Sequence, residues 1–251
     1  MSRLNKIFLF DIDGTISINN KVSNKTIKAF ELIKRNNDYV FLATGRCLGQ
    51  MKDILSLFDF DGFILNNGAL TIYKDSIIFE SPISNKIIDE LLNDKLHVAF
   101  LSKDLFFRIE ENEIFEDFSS GFSITPPILL NDYKSIKIYS LGVYDYNINN
   151  IDYNKYPDLK FVKASNLGFD VINKNISKAS SINNIRKLFK NHEIIAFGDN
   201  YNDIEMLENS DFGVAMGQAT VEVKAHADIS TLSVYDDGVY YMVNKIYNGD
   251  L

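Results

Sequence analysis

Short apolar runs without polar alternation recur along this chain, and each breaks off into a cluster of Asp, Thr, Asn or Gly. "IFLF" (7–10) runs into "DIDGT", "YVFLA" (39–43) into "TGR", "GFIL" (62–65) into "NNGA", and "EIIAF" (193–197) into "GDNYND". A run that is apolar at every position must be covered on both faces, as a strand is inside a parallel sheet flanked by helices. Between the runs the spacing turns helical. Ile27, Phe30 and Ile33 recur in "SNKTIKAFELIKRNN", with Ser23 or Asn24 as candidate caps. Leu48, Met51, Leu55 and Phe58 predict one face of a further helix. Alternating strands and helices require crossover connections, so the expected class is α/β with a doubly wound parallel sheet. Ligands in such sheets bind beyond the carboxyl ends of the strands. Asp11, Thr44 and Asn66 each follow the last apolar residue of a predicted strand, on that edge.

The middle of the chain reads differently. "LTIYKDSIIFE" (70–80) predicts a hairpin turning near Lys74-Asp75-Ser76. After Ser81, "ISNKIIDELLNDK" predicts a helix, "HVAFLS" and "LFFRIE" predict strands, and "SIKIYSLGVY" predicts a longer alternating strand. Pro126-Pro127 and Tyr156-Pro157 mark turns between elements. This α+β texture suggests a separate module over 82–172, although one continuous large sheet would also fit the pattern. From Asn173 the first pattern resumes: a helix in "SKASSINNIRKLF", the strand "EIIAF", a helix after "GDNYND", the strand "FGVAM", a helix over Val221–His226, a short "DIS", and a last helix near Gly238–Ile246. The expectation is a discontinuous Rossmann-like core, 1–81 and 173–251, carrying an inserted α/β domain, 82–172.

Composition narrows the function classes. The 251 residues carry a formal charge of −8, which argues against a general basic face for nucleic-acid backbone. No apolar run approaches the ~18 residues of a membrane span. The single Cys47 cannot form an intramolecular disulfide, and no secretory signal is evident. A cytoplasmic protein, monomeric or a small homo-oligomer, is expected.

Asp11 and Asp13 stand together at a strand exit, where two carboxylates repel unless a cation or shared proton intervenes. The predicted topology brings Asp11, Thr44 and Asp199 to the ends of core strands and Lys178 to the start of a core helix. Two carboxylates, a hydroxyl and an ammonium suit a hard cation and a phosphate. Mg2+ is usually held by one or two carboxylates plus substrate phosphate, and Thr and Lys can bond and neutralise phosphate oxygens. Taken singly, Asp11–Thr15 could be a solvated turn, "GDNYND" an Asx-turn capping the helix over Ile204–Leu207, and Lys178 a surface lysine.

"DIDGT" at 11–15, "ATGR" at 43–46, Lys178 in "ISKASSI" and "GDNYND" at 198–203 together resemble the four motifs of the haloacid dehalogenase-like phosphatase superfamily. "NNGA" at 66–69 and the long insert are similar to its Cof-type branch, which carries an α/β cap. The motifs touch both ends of the core; the insert resembles that cap only in length and rough element order. The resemblance implies Asp11 as nucleophile forming an aspartyl-phosphate, and Asp13 as the acid and base for leaving alcohol and water. It implies Mg2+ held by Asp11, the Asp13 backbone carbonyl and Asp199, with Asp203 holding metal-bound water. Thr44 and Lys178 would bind the transferring phosphoryl group. Gly14 and Gly198 would let the chain turn sharply, and Gly45, Arg46, Asn67 and Asn202 would support substrate. For Arg46 and Asn202 a structural salt bridge or cap fits equally well; Asn67 could merely hold a turn, with orienting substrate slightly favoured. The implied substrate is a small phosphorylated metabolite, sugar phosphates first and phosphorylated cofactors second. A phosphotransferase or mutase on the same fold, or a non-catalytic metabolite-binding protein, would share many of these features.

Other residues read as structural. His97, His192 and His226 lack ligand spacing. Cys47 could have a lowered thiol pKa at a helix start, but a spectator is the simpler expectation. Phe106, Phe107, Phe115, Phe118 and Phe122 predict core of the insert, and Arg108 a solvated strand residue.

Overall fold

β1 (Asn5–Phe10) lies at the centre of an eight-stranded sheet, and its four apolar residues are divided between two cores. Phe8 and Phe10 face one layer of packing, Ile7 and Leu9 the other, and all four are fully buried. That division is the physical reason the run shows no alternation. The computed structural model describes residues 4–121 and 124–250.

After β1 come the small hairpin β2 (Ser17–Ile18) and β3 (Lys21–Val22), α1 (Asn24–Arg35), β4 (Tyr39–Ala43), α2 (Lys52–Leu55), β5 (Gly62–Leu65), β6 (Leu70–Tyr73) and β7 (Ser76–Glu80). Ser23 caps α1, accepting from the Thr26 backbone N–H at 3.1 Å. The helix expected through Phe58 is shorter than its pattern. A single 3-10 turn over Leu48–Gln50 precedes the one-turn α2, and Phe58 lies outside both. The Leu48 N–H donates to the Lys103 carbonyl at 3.0 Å, which ties the start of the turn to the loop between the strands His97–Leu101 and Phe106–Arg108 of the second sheet. The hairpin of β6 and β7 turns at Lys74, whose φ of +52° is left-handed.

The second sheet comes from the middle of the chain: α3 (Asn85–Asn93), β8 (His97–Leu101), β9 (Phe106–Arg108), α4 (Ile114–Gly121), β10 (Ile128–Leu129), β11 (Ser140–Tyr144), β12 (Leu159–Lys163) and β13 (Gly168–Asn173). Its strand order is β10-β9-β8-β11-β13-β12, antiparallel except at β9–β10. Two separate sheets replace the alternative of one continuous sheet. β11 is shorter than expected: only 140–144 is strand, and it is buried at every position, without alternation. Phe107, Phe115 and Phe118 are buried in this half, Phe106 is partly buried, and Phe122 lies outside the described residues. Arg108 departs from its expectation. It is 8% exposed, bonded to Glu116 at 2.7 Å and Glu111 at 2.6 Å, with its guanidinium 5.3 Å from the Phe115 ring centroid.

The chain then returns through α5 (Lys178–Leu188), β14 (His192–Gly198), α6 (Ile204–Asn209), β15 (Phe212–Ala215), α7 (Val221–Ala225), β16 (Ile229–Ser230) and α8 (Gly238–Asn248). The first sheet runs β16-β15-β14-β1-β4-β5-β6-β7, parallel from β16 to β5. From β1 the chain builds outward first to β4 and β5, and much later to β14, β15 and β16. The strand order therefore reverses at β1, and Asp11 stands just past its carboxyl end. Where the chain passes between the sheets, the Asn173 side-chain amide donates to the Ser81 carbonyl at 3.1 Å, the Ser81 hydroxyl at 2.9 Å and the Pro82 carbonyl at 3.2 Å. One residue thus ties the outgoing strand to the returning one.

Candidate active site

At the end of β1 the Asp11 N–H donates to the Phe197 carbonyl at 3.0 Å, extending the β1–β14 ladder by one residue and holding the carboxylate at the sheet edge. Asp11 is 7% exposed. Lys178 opens α5 after Ser177, which caps the helix by accepting from the Ser180 N–H at 3.3 Å. Its ammonium lies 2.6 Å from Asp11 Oδ1 and 2.7 Å from Asp203 Oδ1, with 1% of the side chain exposed. The surface-lysine reading is excluded. Asp203 is fully buried, and its second oxygen accepts from the backbone N–H groups of Asp199 (3.0 Å) and Asn200 (3.1 Å). This folds the "GDNYND" turn around its last carboxylate. Asp199 Oδ1 accepts from the Thr15 hydroxyl at 3.1 Å, which joins the first motif to the fourth.

Gly14 has φ +85°, and a Cβ there would stand 2.2 Å from Asp199 Oδ2. Glycine is required twice over, by conformation and by the approach of the carboxylate. Gly198 differs from its expectation: it ends β14 without a left-handed φ, and glycine is needed because a Cβ would stand 2.5 Å from that of Asp203.

Oxygens of Asp11, Asp199 and Asp203 lie within 4.8 Å of one another. Burial, followed by the charge of Asp203, pushes the Asp11 carboxyl well above the usual carboxylate range; the Lys178 charge opposes them. Burial and Asp203 push Asp199 up to about 6. Burial pushes the Lys178 ammonium down, but Asp11 and Asp203 outweigh it and hold its pKa above the ordinary lysine value. Three carboxylates against one ammonium leave a formal charge of −2 in a largely buried cluster. That imbalance, with all-oxygen donors, fits a divalent hard cation. Asp203 already has both oxygens engaged, so Asp11 and Asp199 are the side chains best placed to hold it.

Asp13 points elsewhere. Its carboxylate is gripped by both arms of Arg46, Nε to Oδ2 at 2.9 Å and Nη2 to Oδ1 at 2.5 Å, and Arg46 also donates to Asn20 Oδ1 at 2.6 Å and the Gln50 carbonyl at 3.2 Å. The salt bridge considered for Arg46 is therefore present, with Asp13 as its partner. Thr44 is buried, and its hydroxyl accepts from the Arg46 N–H at 3.1 Å. Asp11, Asp13, Thr44, Gly45, Arg46, Asn67 and Asn202 all line one cavity of about 350 Å3 between the two sheets, and Asp11 connects that cavity to Lys178, Asp199 and Asp203, which do not line it. A volume at the lower end of ligand pockets suits a small molecule.

Asn66 and Asn67 both have left-handed φ, +52° and +54°. Asn66 binds across to the second sheet, donating to the Ser102 carbonyl at 3.2 Å and accepting from the Ser140 hydroxyl at 3.4 Å. The histidines play no part here: His97 contacts Glu110 and His226 contacts Glu208, each partner in the same half of the fold. Cys47 is fully buried, and burial pushes its thiol up to about 11, opposite to an activated cysteine. Sequence reasoning missed two residues. Thr15 stands out in the sequence only as part of "DIDGT". Asp170, a cavity-lining carboxylate on β13, was signalled only as a charge between Phe169 and Val171 in a buried strand.

Residues 8–243 match the family model described as haloacid dehalogenase-like hydrolase. The chain is 30% identical over 250 residues to "Putative phosphatase YkrA" of Bacillus subtilis (strain 168), covering 96% of this chain and 97% of that one. A hypothetical protein from Geobacillus kaustophilus HTA426 superposes with a TM-score of 0.89 at 26% identity, over 97% of this chain and 99% of that one. BT1666 from Bacteroides thetaiotaomicron, a phosphatase of the haloalkanoate (HAD) enzyme superfamily, superposes with a TM-score of 0.83 at 25% identity, over 96% and 94%.

Proposed function

This chain belongs to the haloacid dehalogenase-like hydrolase family, and from that premise we propose that it is a Mg2+-dependent phosphatase of small phosphorylated metabolites, sugar phosphates foremost. The observation that carries the reading is the buried cluster of Asp11, Lys178, Asp199 and Asp203 beneath a cavity of about 350 Å3, at the reversal point of the sheet.

Asp11 attacks phosphorus, and the bond from phosphorus to the leaving oxygen breaks as the bond to the aspartyl oxygen forms. Protonated and released from the Arg46 fork, Asp13 gives its proton to the leaving alcohol, then accepts one from the water that cleaves the aspartyl-phosphate, which restores Asp11 and releases inorganic phosphate. Arg46 steers the Asp13 carboxylate through both its oxygens. Thr44 and Lys178 take oxygens of the transferring phosphoryl group, with Lys178 held against Asp11 by Asp203 behind it. Bound at Asp11 and Asp199, with the Asp13 carbonyl as a third donor, Mg2+ would supply charge neutralisation for an anionic nucleophile meeting an anionic substrate. Residues 82–172 act as a cap that closes the cavity and contacts the leaving group, while the core performs the chemistry.

The test is phosphate release from a panel of small phosphomonoesters, with Mg2+ and with chelator, using Asp11→Asn as control. Metal-dependent release that the variant lacks supports the reading. No release from any member would overturn it.

A further inference from the structure

The cavity wall facing the catalytic cluster is supplied by the second sheet, and one carboxylate stands in it. Asp170 sits on β13, in register with Gly142 of β11 and Val162 of β12. It lines the same cavity as Asp11, Thr44 and Arg46. Its hydrogen-bond partner is the Asn67 Nδ2 group, at a long 3.4 Å. The other atom of that amide, Asn67 Oδ1, is buried and has no hydrogen-bond partner, although Asn67 is only 7% exposed and lines the cavity. The orientation of the amide is fixed by chemistry, since a flip would set its oxygen against the Asp170 carboxylate. The backbone cannot easily withdraw it, because the Asn67 N–H donates to the Thr44 carbonyl at 3.0 Å and its φ is left-handed.

Core and second sheet therefore meet at one unpartnered acceptor, Asn67 Oδ1, beside a carboxylate whose side-chain donor stands at a long 3.4 Å. Buried acceptors in native structures find donors, and a ligand is one source of them. The donors cannot be phosphoryl oxygens, which only accept, so the pair does not serve the group that Lys178 and Thr44 would bind. It faces the rest of the substrate.

We propose that Asp170 and Asn67 together read hydroxyl groups on the leaving group, so that the preferred substrate is the phosphomonoester of a polyol or sugar and not of an organic acid. The inference rests on the phosphatase reading above and adds the residue that selects among its substrates. An anionic leaving group would meet the Asp170 carboxylate head-on. A cationic one would meet Lys163, which lines the same cavity, and Asp170 already feels the Lys178 charge. Neutral hydroxyls supply donors without either repulsion. Leu101, Phe106, Phe118 and Tyr144 line the cavity as well, giving apolar contact for the carbon faces of such a group.

The test uses matched substrates that differ in hydroxyls alone: glucitol 6-phosphate against n-hexyl phosphate, and glycerol 3-phosphate against n-propyl phosphate. Phosphoglycolate and phosphoethanolamine serve as the anionic and cationic arms. The quantity read is the ratio of kcat/KM for the hydroxylated over the alkyl member, which cancels changes common to both. The wild-type chain should favour the hydroxylated members, and Asp170→Ala and Asn67→Ala should each lower that ratio by at least about tenfold. Asp170→Asn, isosteric and retaining one acceptor, should show a smaller fall in the same direction, and it carries the test if the alanine variant does not fold. A ratio unchanged in a folded variant overturns the assignment, as does a wild-type preference for the alkyl, anionic or cationic members. Failure of the wild-type chain on every phosphomonoester sinks the phosphatase reading itself, a result distinguishable from active enzyme with unchanged ratios.

Discussion

The Lys178 ammonium stands 2.6 Å from Asp11 and 2.7 Å from Asp203, fully enclosed, and so couples the carboxylate at the end of the first strand to one that arrives 192 residues later. It is the only cation in direct contact with the cluster among the described side chains. Replacing it with Met leaves three neighbouring carboxylates uncompensated. Breaking a buried pair in this way costs ~3–5 kcal/mol. Urea denaturation of Lys178→Met should show a loss of that order, and unchanged stability would mean the lysine does not hold the cluster together.

Asp11→Asn should behave in the opposite way toward stability. Burial and the negative neighbours disfavour an ionised group at this position, so a neutral amide of the same shape removes repulsion while Lys178 keeps Asp203. The melting temperature without metal should hold or rise. Turnover should fall by at least about 10^3-fold, since an amide oxygen is a poor nucleophile. Retained turnover would contradict Asp11 as the attacking group.

The cluster also fixes a pH dependence. Folded pKa values of Asp11 and Asp199 lie above the unfolded value near 3.8, Asp199 at about 6. The folded state therefore binds protons more readily than the unfolded state, and the contribution of these groups to stability falls as pH rises from about 4 through 6. Mg2+ needs the same carboxylates ionised. Saturating Mg2+, about a hundredfold over Kd, should add ~2–3 kcal/mol near pH 7.5 and much less at pH 5. Thermal melts with and without chelator at both pH values would check this, and an equal shift at both would place the metal elsewhere.

Gly14→Ala should damage the site from the backbone. The new methyl group meets Asp199 Oδ2 at 2.2 Å in a left-handed conformation, with an expected cost of ~1–2 kcal/mol for the backbone alone. Apparent Mg2+ affinity, read from the thermal shift, should weaken along with activity. Normal metal binding would show that Asp199 tolerates displacement.

Arg46→Lys keeps the charge but loses the fork on Asp13. A single ammonium cannot bind both carboxylate oxygens in the guanidinium's plane while reaching Asn20 and Gln50. The expected effect is a drop in kcat of about 10–100-fold with the melting temperature little changed. Wild-type kcat would reduce Arg46 to a surface tie.

The parallel sheet and its acidic edge were legible because burial on both faces leaves a plain mark: Ile7–Phe10 has no polar position to spare. The positions of Asp11, Lys178 and Asp199 followed from strand ends and a helix start. Other features depend on contacts distant in sequence. The turn before α2 is tied to the second half of the fold, Leu48 bonding to Lys103, and a local helical pattern cannot show that contact. Arg108 looked solvated because its partners Glu111 and Glu116 are ordinary surface residues until α4 folds over it. Asp170 escaped notice for the same reason: its meaning lies in Asn67, 103 residues away.

The centre of the first sheet pairs β1 with β14, and the second sheet is spelled out between them. A ribosome making this chain releases Asp11 early and Lys178 and Asp199 only after the whole middle segment. β1, apolar on both sides, must wait for β14 before one of its edges is closed. The second sheet has all its strands within residues 97–173 and can assemble during that interval. Synthesis thus allows an order inverted relative to the chemistry: the half that would greet the substrate can form first, and the half that would cut it becomes whole only when the last third of the chain has emerged.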